Sequence, residues 1–480
     1  MKKLLLILGM LWVKDGPSQL VYTLNELVSI AKERSYETTI AKEKLAVRQF
    51  EWKAFKAELS PSLTLFGNLP VYNKEFYGVR QPDGSMRYLP IHQQNSNIGF
   101  TVSQPLLFSG GSIAVSSDLK RFDDFGDKFR QYTSTPVYIS LHQPLFGFNE
   151  WKWRKKIAPL RLENARRIWS QDQEEISLDV VELFYNLMDA QTEEELAATN
   201  LKRVNEDLGI EEARISKATT STEIILRLRG LKVDSERRVL RAVTDRENAL
   251  YALKQYLQLE EKAIVLNTNL QVPGYVIDEK TAIEYALKSG PLLSTAELSK
   301  VEAESEVSRT RKQRFAVNLQ ASYGLNNTSN TLSDAYQAPR SQQQFSVGFS
   351  VPLIDWGRNL SNARAAKAYL SQVNATADQL KRDVTTEIHN LVSWQKMANL
   401  ELQFSASADS IAQARYDQAT LSYRSGMLAL TDLAIAQQEK DAAKKMRLNL
   451  ERRLWELHFR IRQITAFDFA TGRELYLKID

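Results

Sequence analysis

The chain has 480 residues, 43% of them hydrophobic and 25% charged, which excludes an intrinsically disordered protein and leaves room for two or three ordinary domains. It has no cysteine, so a disulfide framework, thiol catalysis, thiolate metal sites and a lipidated N-terminal cysteine are all excluded. The net charge of +5 comes from Lys and Arg interleaved with Asp and Glu along helical stretches, a pattern of solvated helix faces and not of a nucleic-acid patch.

Lys2 and Lys3 precede the apolar run Leu4–Val13, the n-region and h-region of a secretory signal. Residues 1–17 are therefore expected to be a signal peptide. Its cleavage site stays open, because Lys14-Asp15-Gly16-Pro17 lacks the usual small-residue pair. No window approaches the ~18 continuous apolar residues of a membrane-spanning helix. Thr23-Leu24-Asn25-Glu26 has the form of a capping box, and a helix is expected from there to about Glu58. Pro61 starts a strand, SLTLFG. Residues 69–96 read as a loop, with Pro70, Gly78, Pro82-Asp83-Gly84 and Pro90. Ile98, Phe100 and Val102 alternate with Gly99, Thr101 and Ser103, the period of a strand with one apolar face. Ser109-Gly110-Gly111 is a tight turn, Ile113 and Val115 belong to a short strand, and residues 122–135 read as a second polar loop. Val137, Ile139 and Leu141 alternate again and end at Gln143-Pro144-Leu145, a near copy of Gln104-Pro105-Leu106.

A long helix is expected from Leu160 to Leu208, interrupted by Gly209 and by the segment Lys217–Glu223. A second helix runs to about Leu259. After Pro273-Gly274 the scheme restarts with Asp278 and a helix to Arg314, a strand FAVNLQASY, a polar loop over 325–342, and a strand in which Phe345, Val347, Phe349 and Val351 alternate with Ser346, Gly348 and Ser350. Gly357 opens a run to Ser425 without Gly or Pro, Gly426 breaks it, and a last helix is expected to Thr471. The two halves repeat. Ala31 falls on Ala286 and Pro61 on Ala316 at an offset of 255, while Pro144 falls on Pro352, Ile176 on Val384 and Val180 on Ile388 at 208. The difference is one extra strand pair in the first copy. The expected organisation is repeat one over 18–272 (helix, four strands, long helix hairpin) and repeat two over 273–480 (helix, two strands, long helix hairpin).

Strands with one apolar face need an apolar neighbour, and these come in hairpins flanked by very long helices. Short turns at one end and long polar ones at the other fit an outer-membrane barrel. Phe345, Val347, Phe349 and Val351 would face lipid, and Ser346, Gly348 and Ser350 a wet interior. Four to six strands cannot close a barrel, so three chains would share one of 12 or 18 strands. Val373, Ala377, Leu380, Val384, Ile388, Leu391 and Trp394 form a coiled-coil-like stripe suited to helix pairs lining an aqueous tube.

The repeats, the elbow PLIDWGRNLSNARAAKAYL, the opening TLNELVSIAKERSY and the stretch Tyr423 to Leu433 resemble the TolC-like outer-membrane efflux and export channel family over roughly residues 20–470. The resemblance implies a mainly α fold with membrane β: a homotrimer with a shared transmembrane β-barrel on a long periplasmic α-helical barrel. It implies an outer membrane exit duct of a tripartite efflux or type I secretion system in a Gram-negative bacterium. The partners would be a periplasmic adaptor, an inner membrane transporter and outer membrane lipid. Tyr423, Gly426, Thr431 and Asp432, with Thr222 and Glu223 of the first copy, would form the tip that meets the adaptor. As plain hairpin residues, Gly426 would permit positive φ and Asp432 would cap the next helix. Leu428 stands where some relatives have a basic residue, and Lys217 takes the place of Gly426 in the first copy, so the periplasmic end would be closed differently. Trp151, Trp153 and Trp356 are interfacial anchors or elbow packing. His92, His142, His389 and His458 lack ligand spacing, and no nucleophile–base pair or phosphate loop is visible, so neither enzyme chemistry nor a cofactor is expected. The competing reading is a periplasmic coiled-coil scaffold without a membrane barrel.

Overall fold

The structure is a computed structural model that describes residues 20–215, 221–260, 264–267, 272–313 and 316–475. The expected signal segment and Lys217 lie outside the described residues. Strand β1 (Leu20–Tyr22) leads into α1 (Leu24–Arg34). Thr23 and Glu26 form the capping box: the Thr23 hydroxyl accepts the Glu26 N–H, and the Glu26 carboxylate accepts the Thr23 N–H at 2.7 Å. The helix expected to run unbroken to Glu58 breaks at Ser35, whose backbone is extended and whose hydroxyl accepts the Thr38 N–H at 3.1 Å. Ser35 thus ends α1 and caps α2 (Tyr36–Glu58).

Four strands follow: β2 (Ser62–Arg80), β3 (Met86–Leu106), β4 (Gly111–Asp124) and β5 (Phe129–Leu145). The loops expected at 69–96 and 122–135 are therefore mostly strand. Their turns are confined to 81–85 and 125–128. The prolines misled the reading for a physical reason. Pro90 lies on a part of β3 that has β2 beside it but is beyond the β4 ladder, which stops at Gln93, so its missing N–H leaves no bond unmade. Pro70 sits in a register shift on β2, between Asn68 and Val71.

Helix α3 (Glu150–Ile215) starts earlier than expected, holds Pro159, and passes through Gly209 without a break. One glycine costs only about 1 kcal/mol relative to Ala, which the rest of a 66-residue helix absorbs. Then come α4 (Thr222–Leu257), β6 (Ile264–Leu266), α5 (Glu279–Ser289) and α6 (Pro291–Lys312). Gly290, in an extended conformation, and Pro291 divide what had been expected as one helix. Next are β7 (Ala316–Ser329), the single turn α7 (Leu332–Ala335) and β8 (Arg340–Ser350), so the loop expected at 325–342 is also shorter. The chain closes with α8 (Arg358–Arg424), α9 (Leu430–Thr465), β9 (Phe467–Asp468) and β10 (Arg473–Glu474). Helix α9 stops short of Thr471 because Ala466 turns left-handed at φ 52° and the β9–β10 hairpin follows.

The described residues divide into two units. One takes those of Met1–Lys44, Arg166–Pro291 and Lys381–Asp480, the other Leu45–Ala165 and Leu292–Leu380, and α2, α3 and α8 contribute to both. The first unit is helical and has an apolar core. Leu24, Leu27, Val28 and Ala31 of α1 pack against Ile176, Val180 and Phe184 of α3, Leu253 and Leu257 of α4, and Trp455 and Phe459 of α9. The stripe residues Val384, Ile388 and Leu391 of α8 are buried here too, while Trp394 is 42% exposed. Beside this core lies a buried ion cluster. Glu174 accepts Lys32 at 3.0 Å and Arg462 at 2.8 Å, and Arg462 also reaches Asp468 at 3.1 Å. His458 is 5% exposed, bonds Tyr275 through Nδ1 at 2.7 Å and faces Arg462 through Nε2 at 3.3 Å. The second unit holds the six-stranded antiparallel sheet, in the order β2-β3-β4-β5-β7-β8.

Burial, followed by the charge of Arg462, pushes the His458 pKa down to about 4 from 6.5. The folded protein therefore binds fewer protons than the unfolded chain between these values, and stability falls as pH drops through that window. His458→Gln is expected to flatten the decline between pH 6.5 and 4 in chemical denaturation. A parallel decline in variant and wild type would assign the pH dependence elsewhere.

Candidate functional site

The sheet register sorts its residues by chemistry. Leu63, Val102, Val115, Ile139 and Tyr323 are cross-strand partners in one row from β2 to β7. On the same face Ile113, Leu141, Ala321 and Phe345 form another, and Leu319–Val347 and Val317–Phe349 continue it. The neighbouring row, on the opposite face, is Ser62, Ser103, Ala114, Ser140, Ser322 and Gln344. Hydroxyls bridge strands there: Ser62 with Ser103 at 2.8 Å and Thr101 with Ser116 at 2.9 Å. Alternation along a strand becomes, through register, one apolar and one polar surface across six strands. Phe345, Val347 and Phe349 lie on the apolar surface, 71%, 50% and 78% exposed, and Ser346, Gly348 and Ser350 on the polar one. Val351, expected in the strand, lies one residue past it.

The near-copied Gln-Pro-Leu motifs tie off strand ends. The Gln104 amide donates to Leu59 O at 2.9 Å and to Pro105 O at 3.0 Å. The Gln143 amide donates to Ser109 O and Pro144 O, both at 2.9 Å. Each Gln thus supplies donors where its proline lacks one. The elbow after β8 turns on two successive left-handed residues, Trp356 at φ 53° and Gly357 at φ 85°. Asp355 accepts the Gly357 and Asn359 N–H groups, both at 3.0 Å, and starts α8. Trp356 is 95% exposed, so elbow packing does not account for it.

In the helical unit, the ends of α3 and α8 meet. Tyr423 is buried, and its hydroxyl donates to Glu211 Oε1 at 3.2 Å. Arg214 pairs with Glu211 at 2.7 Å and donates to Arg424 O at 2.9 Å, and Arg424 pairs with Glu206 at 3.1 Å. Burial, and then the Glu211 charge, pushes the Tyr423 hydroxyl well above the usual phenol range, so it stays a donor. Gly426 has φ +78° and its N–H bonds Tyr423 O at 2.9 Å, a left-handed helix end as expected. Asp432 is not a cap. Ala429 occupies that position, and Asp432 lies in the exposed first turn of α9, where a carboxylate favours the positive helix end. Thr431 is exposed beside it, and Thr222 and Glu223 are exposed in the first turn of α4, capped by Ser221. Leu428 is half-buried. Sequence reasoning missed Glu206, Glu211, Arg214 and Arg424. Tyr423 pointed to the hairpin, but its partners lie more than 200 positions away. No group of His, Asp and Glu among the described residues could hold a metal ion.

Residues 282–466 match the family model of the outer membrane efflux protein. The Campylobacter jejuni CmeC outer membrane channel is 14% identical with a TM-score of 0.69, covering 95% of this chain and 87% of its own. The outer membrane protein VceC of Vibrio cholerae is 14% identical with a TM-score of 0.63, covering 92% and 95%. The open state of the Neisseria gonorrhoeae MtrE outer membrane channel is 14% identical with a TM-score of 0.59, covering 92% and 88%. The chain thus has the fold of these channels. No curated protein matches the sequence.

Replacing Gly426 with Ala places a Cβ in the left-handed region, at a cost of roughly 1–2 kcal/mol. Amide exchange at Ser425–Ala429 is expected to quicken while the rest of α8 keeps its protection. Unchanged exchange would mean that the turn has another conformation.

Proposed function

We propose, from the match of residues 282–466 to the outer membrane efflux protein family model, that the chain is the outer membrane exit duct of a tripartite efflux or type I secretion system in a Gram-negative bacterium. The duct carries small molecules or peptides passively across the outer membrane. Three copies share one barrel of 18 strands, six from each, and their helices form the periplasmic tube, with an adaptor and an inner membrane transporter completing the assembly. The carrying observation is the sheet: six strands, one apolar face, one polar face, and edge strands β2 and β8 that have no outer partner among the described residues. Lipid suits the first face and water the second, and the open edges call for further strands. Strand β8 has 11 residues, the length that spans a bilayer at the usual tilt of ~45°. The element order supports two repeats, with the insertion being one hairpin. Exposed Thr222, Glu223, Thr431 and Asp432 are the adaptor-facing rim, and the Tyr423–Glu211–Arg214–Arg424 links hold the helix ends together.

Face parity gives the test. An arginine on the lipid face costs ~2–4 kcal/mol near mid-bilayer. Val347→Arg and Phe349→Arg are expected to abolish assembly in the outer membrane, whereas Ser346→Arg, one residue away on the other face, assembles and lowers single-channel conductance. Equal tolerance of all three in a water-soluble protein would favour the periplasmic scaffold. At the rim, Glu223→Lys with Asp432→Lys is expected to impair export while trimers persist on native gels. Loss of the trimers would make these residues structural.

A further inference from the structure

The apolar face of the sheet does not stay apolar to its far end. Going up β4 on that face, Ile113, Val115, Ser117 and Leu119 are followed by Arg121 and Asp123. Beside them on β5 stand Tyr132, the cross-strand partner of Arg121, and Arg130, the partner of Asp123. The four side chains interlock. Asp123 is only 5% exposed, and it accepts Arg121 Nε at 2.6 Å and Nη2 at 3.0 Å and Arg130 Nε at 2.7 Å. The Arg121 guanidinium lies over the Tyr132 ring, 6.0 Å from its centroid. One carboxylate thus grips two guanidinium groups by their inner edges and neutralises only one of them. Nη1 of Arg121 and both Nη groups of Arg130 donate to nothing among the described residues, and the two side chains are 41% and 55% exposed. Planar donors held in place, with a surplus positive charge, suit a phosphate group.

The level of this cluster on the sheet matters as much as its charge. Ser329 of β7 is the cross-strand partner of Tyr132 and so lies in the row of Arg121. Val317, twelve residues down β7, pairs with Leu145 and Phe349 in the lowest apolar row. At ~3.3 Å per residue and a tilt of ~45°, twelve residues span about 28 Å of height, close to the ~30 Å of a hydrocarbon core. With the lowest row at one edge of that core, the two arginines stand at the other, where headgroups begin. The charge is a spot and not a belt, because β7 has the neutral Asn327 and Ser329 at this level. One row further out on the same face Lys74 adds to it, while Asp118, Lys120 and Asp124 lie on the opposite face.

We propose that Arg121 and Arg130, held by Asp123, bind the phosphate group of an anionic lipid in the outer leaflet, one lipid to each copy. The proposal rests on the duct reading above, in which β4 and β5 cross the membrane and their connecting turn at 125–128 lies outside. The apolar rows directly below the cluster favour a lipid over a free anion, because acyl chains attached to the phosphate lie along Leu119 and Val115. Tyr132 stands at the boundary, its ring against the tails and its hydroxyl towards the headgroup. Asp123 is a positioning residue: it touches no lipid, and it fixes the two groups that do.

Native mass spectrometry of the full chain, purified in neutral detergent and doped with diphosphoryl lipid A, tests this. The wild type is expected to retain one lipid per copy. Arg121→Gln with Arg130→Gln should weaken retention about tenfold or more, the loss of one or two charged hydrogen bonds. Lys120→Gln, next in the chain but on the opposite face, should leave it unchanged. Equal retention by the double variant and the wild type overturns the site and leaves the duct standing, and so does an equal loss on Lys120→Gln, which would mean a general attraction of charges. Displacement of the lipid by millimolar inorganic phosphate overturns the lipid as occupant and leaves an anion site. A chain that stays in solution without detergent and retains no lipid overturns the duct reading as well. If the double variant does not assemble, the wild type decides alone: equal retention of lipid A and of its fully dephosphorylated form overturns the proposal.

Discussion

In the proposed duct, an unpaired strand edge in hydrocarbon is the constraint on which the rest of the structure depends. Strands β2 and β8 are bonded on one side only. In water their outer N–H and C=O groups would bond solvent. In lipid each unmet group costs several kcal/mol, so even a few of them outweigh the whole stability of an ordinary domain. Lipid would suit the apolar rows of this sheet and at the same time forbid its edges. The two demands meet only when other strands close the ring, so in the proposed trimer assembly and folding of the sheet become one event.

The helical unit works on the opposite principle. Its core is apolar, and the buried Glu174 is ion-paired within one copy: it lies between Lys32 and Arg462, and Arg462 continues to Asp468. Such a cluster contributes little net stability over an apolar replacement, but removing one member leaves an uncompensated buried charge costing about 3–5 kcal/mol. It ties α1, α3 and α9 to the residues after α9. That gives each chain a helical part fixed by its own contacts. Towards the ends of the helices, Leu226, Leu240, Ile411 and Phe404 are exposed.

Period carried most of what the sequence revealed. The alternation from Phe345 to Ser350 gave β8 and its two faces, and the Gly- and Pro-free run after Gly357 gave α8. Punctuation was less reliable. Pro90 and Pro70 read as loop because proline removes a strand donor, yet both sit where no donor is needed. Ser35 did not read as a break because serine also occurs inside helices, and only its bond to Thr38 shows that it caps. The contacts of Tyr423 could not be read at all. Glu211 and Arg214 stand on one face of α3 at the spacing of one turn, but nothing local tells which distant helix end they will meet.

The inserted hairpin can be understood from the same edge constraint. Strands β2, β4 and β7 run away from the helices, and β3, β5 and β8 run back, because every ladder is antiparallel. An even number of strands per copy leaves β8 antiparallel to β2 of a neighbour related by rotation about the barrel axis. An insertion of one strand would put α3 on the wrong side of the membrane and leave a parallel pair at the seam. An insertion of two preserves both the exits and the pairing. A barrel shared among copies can therefore widen only by whole hairpins, and the near-copied Gln104-Pro105-Leu106 and Gln143-Pro144-Leu145 fit the expected insertion of one. In the proposed trimer, six strands from each copy make 18, where four would make 12. Barrels of 16–18 strands leave an aqueous channel, so a shared barrel of 18 strands would suit the proposed exit duct.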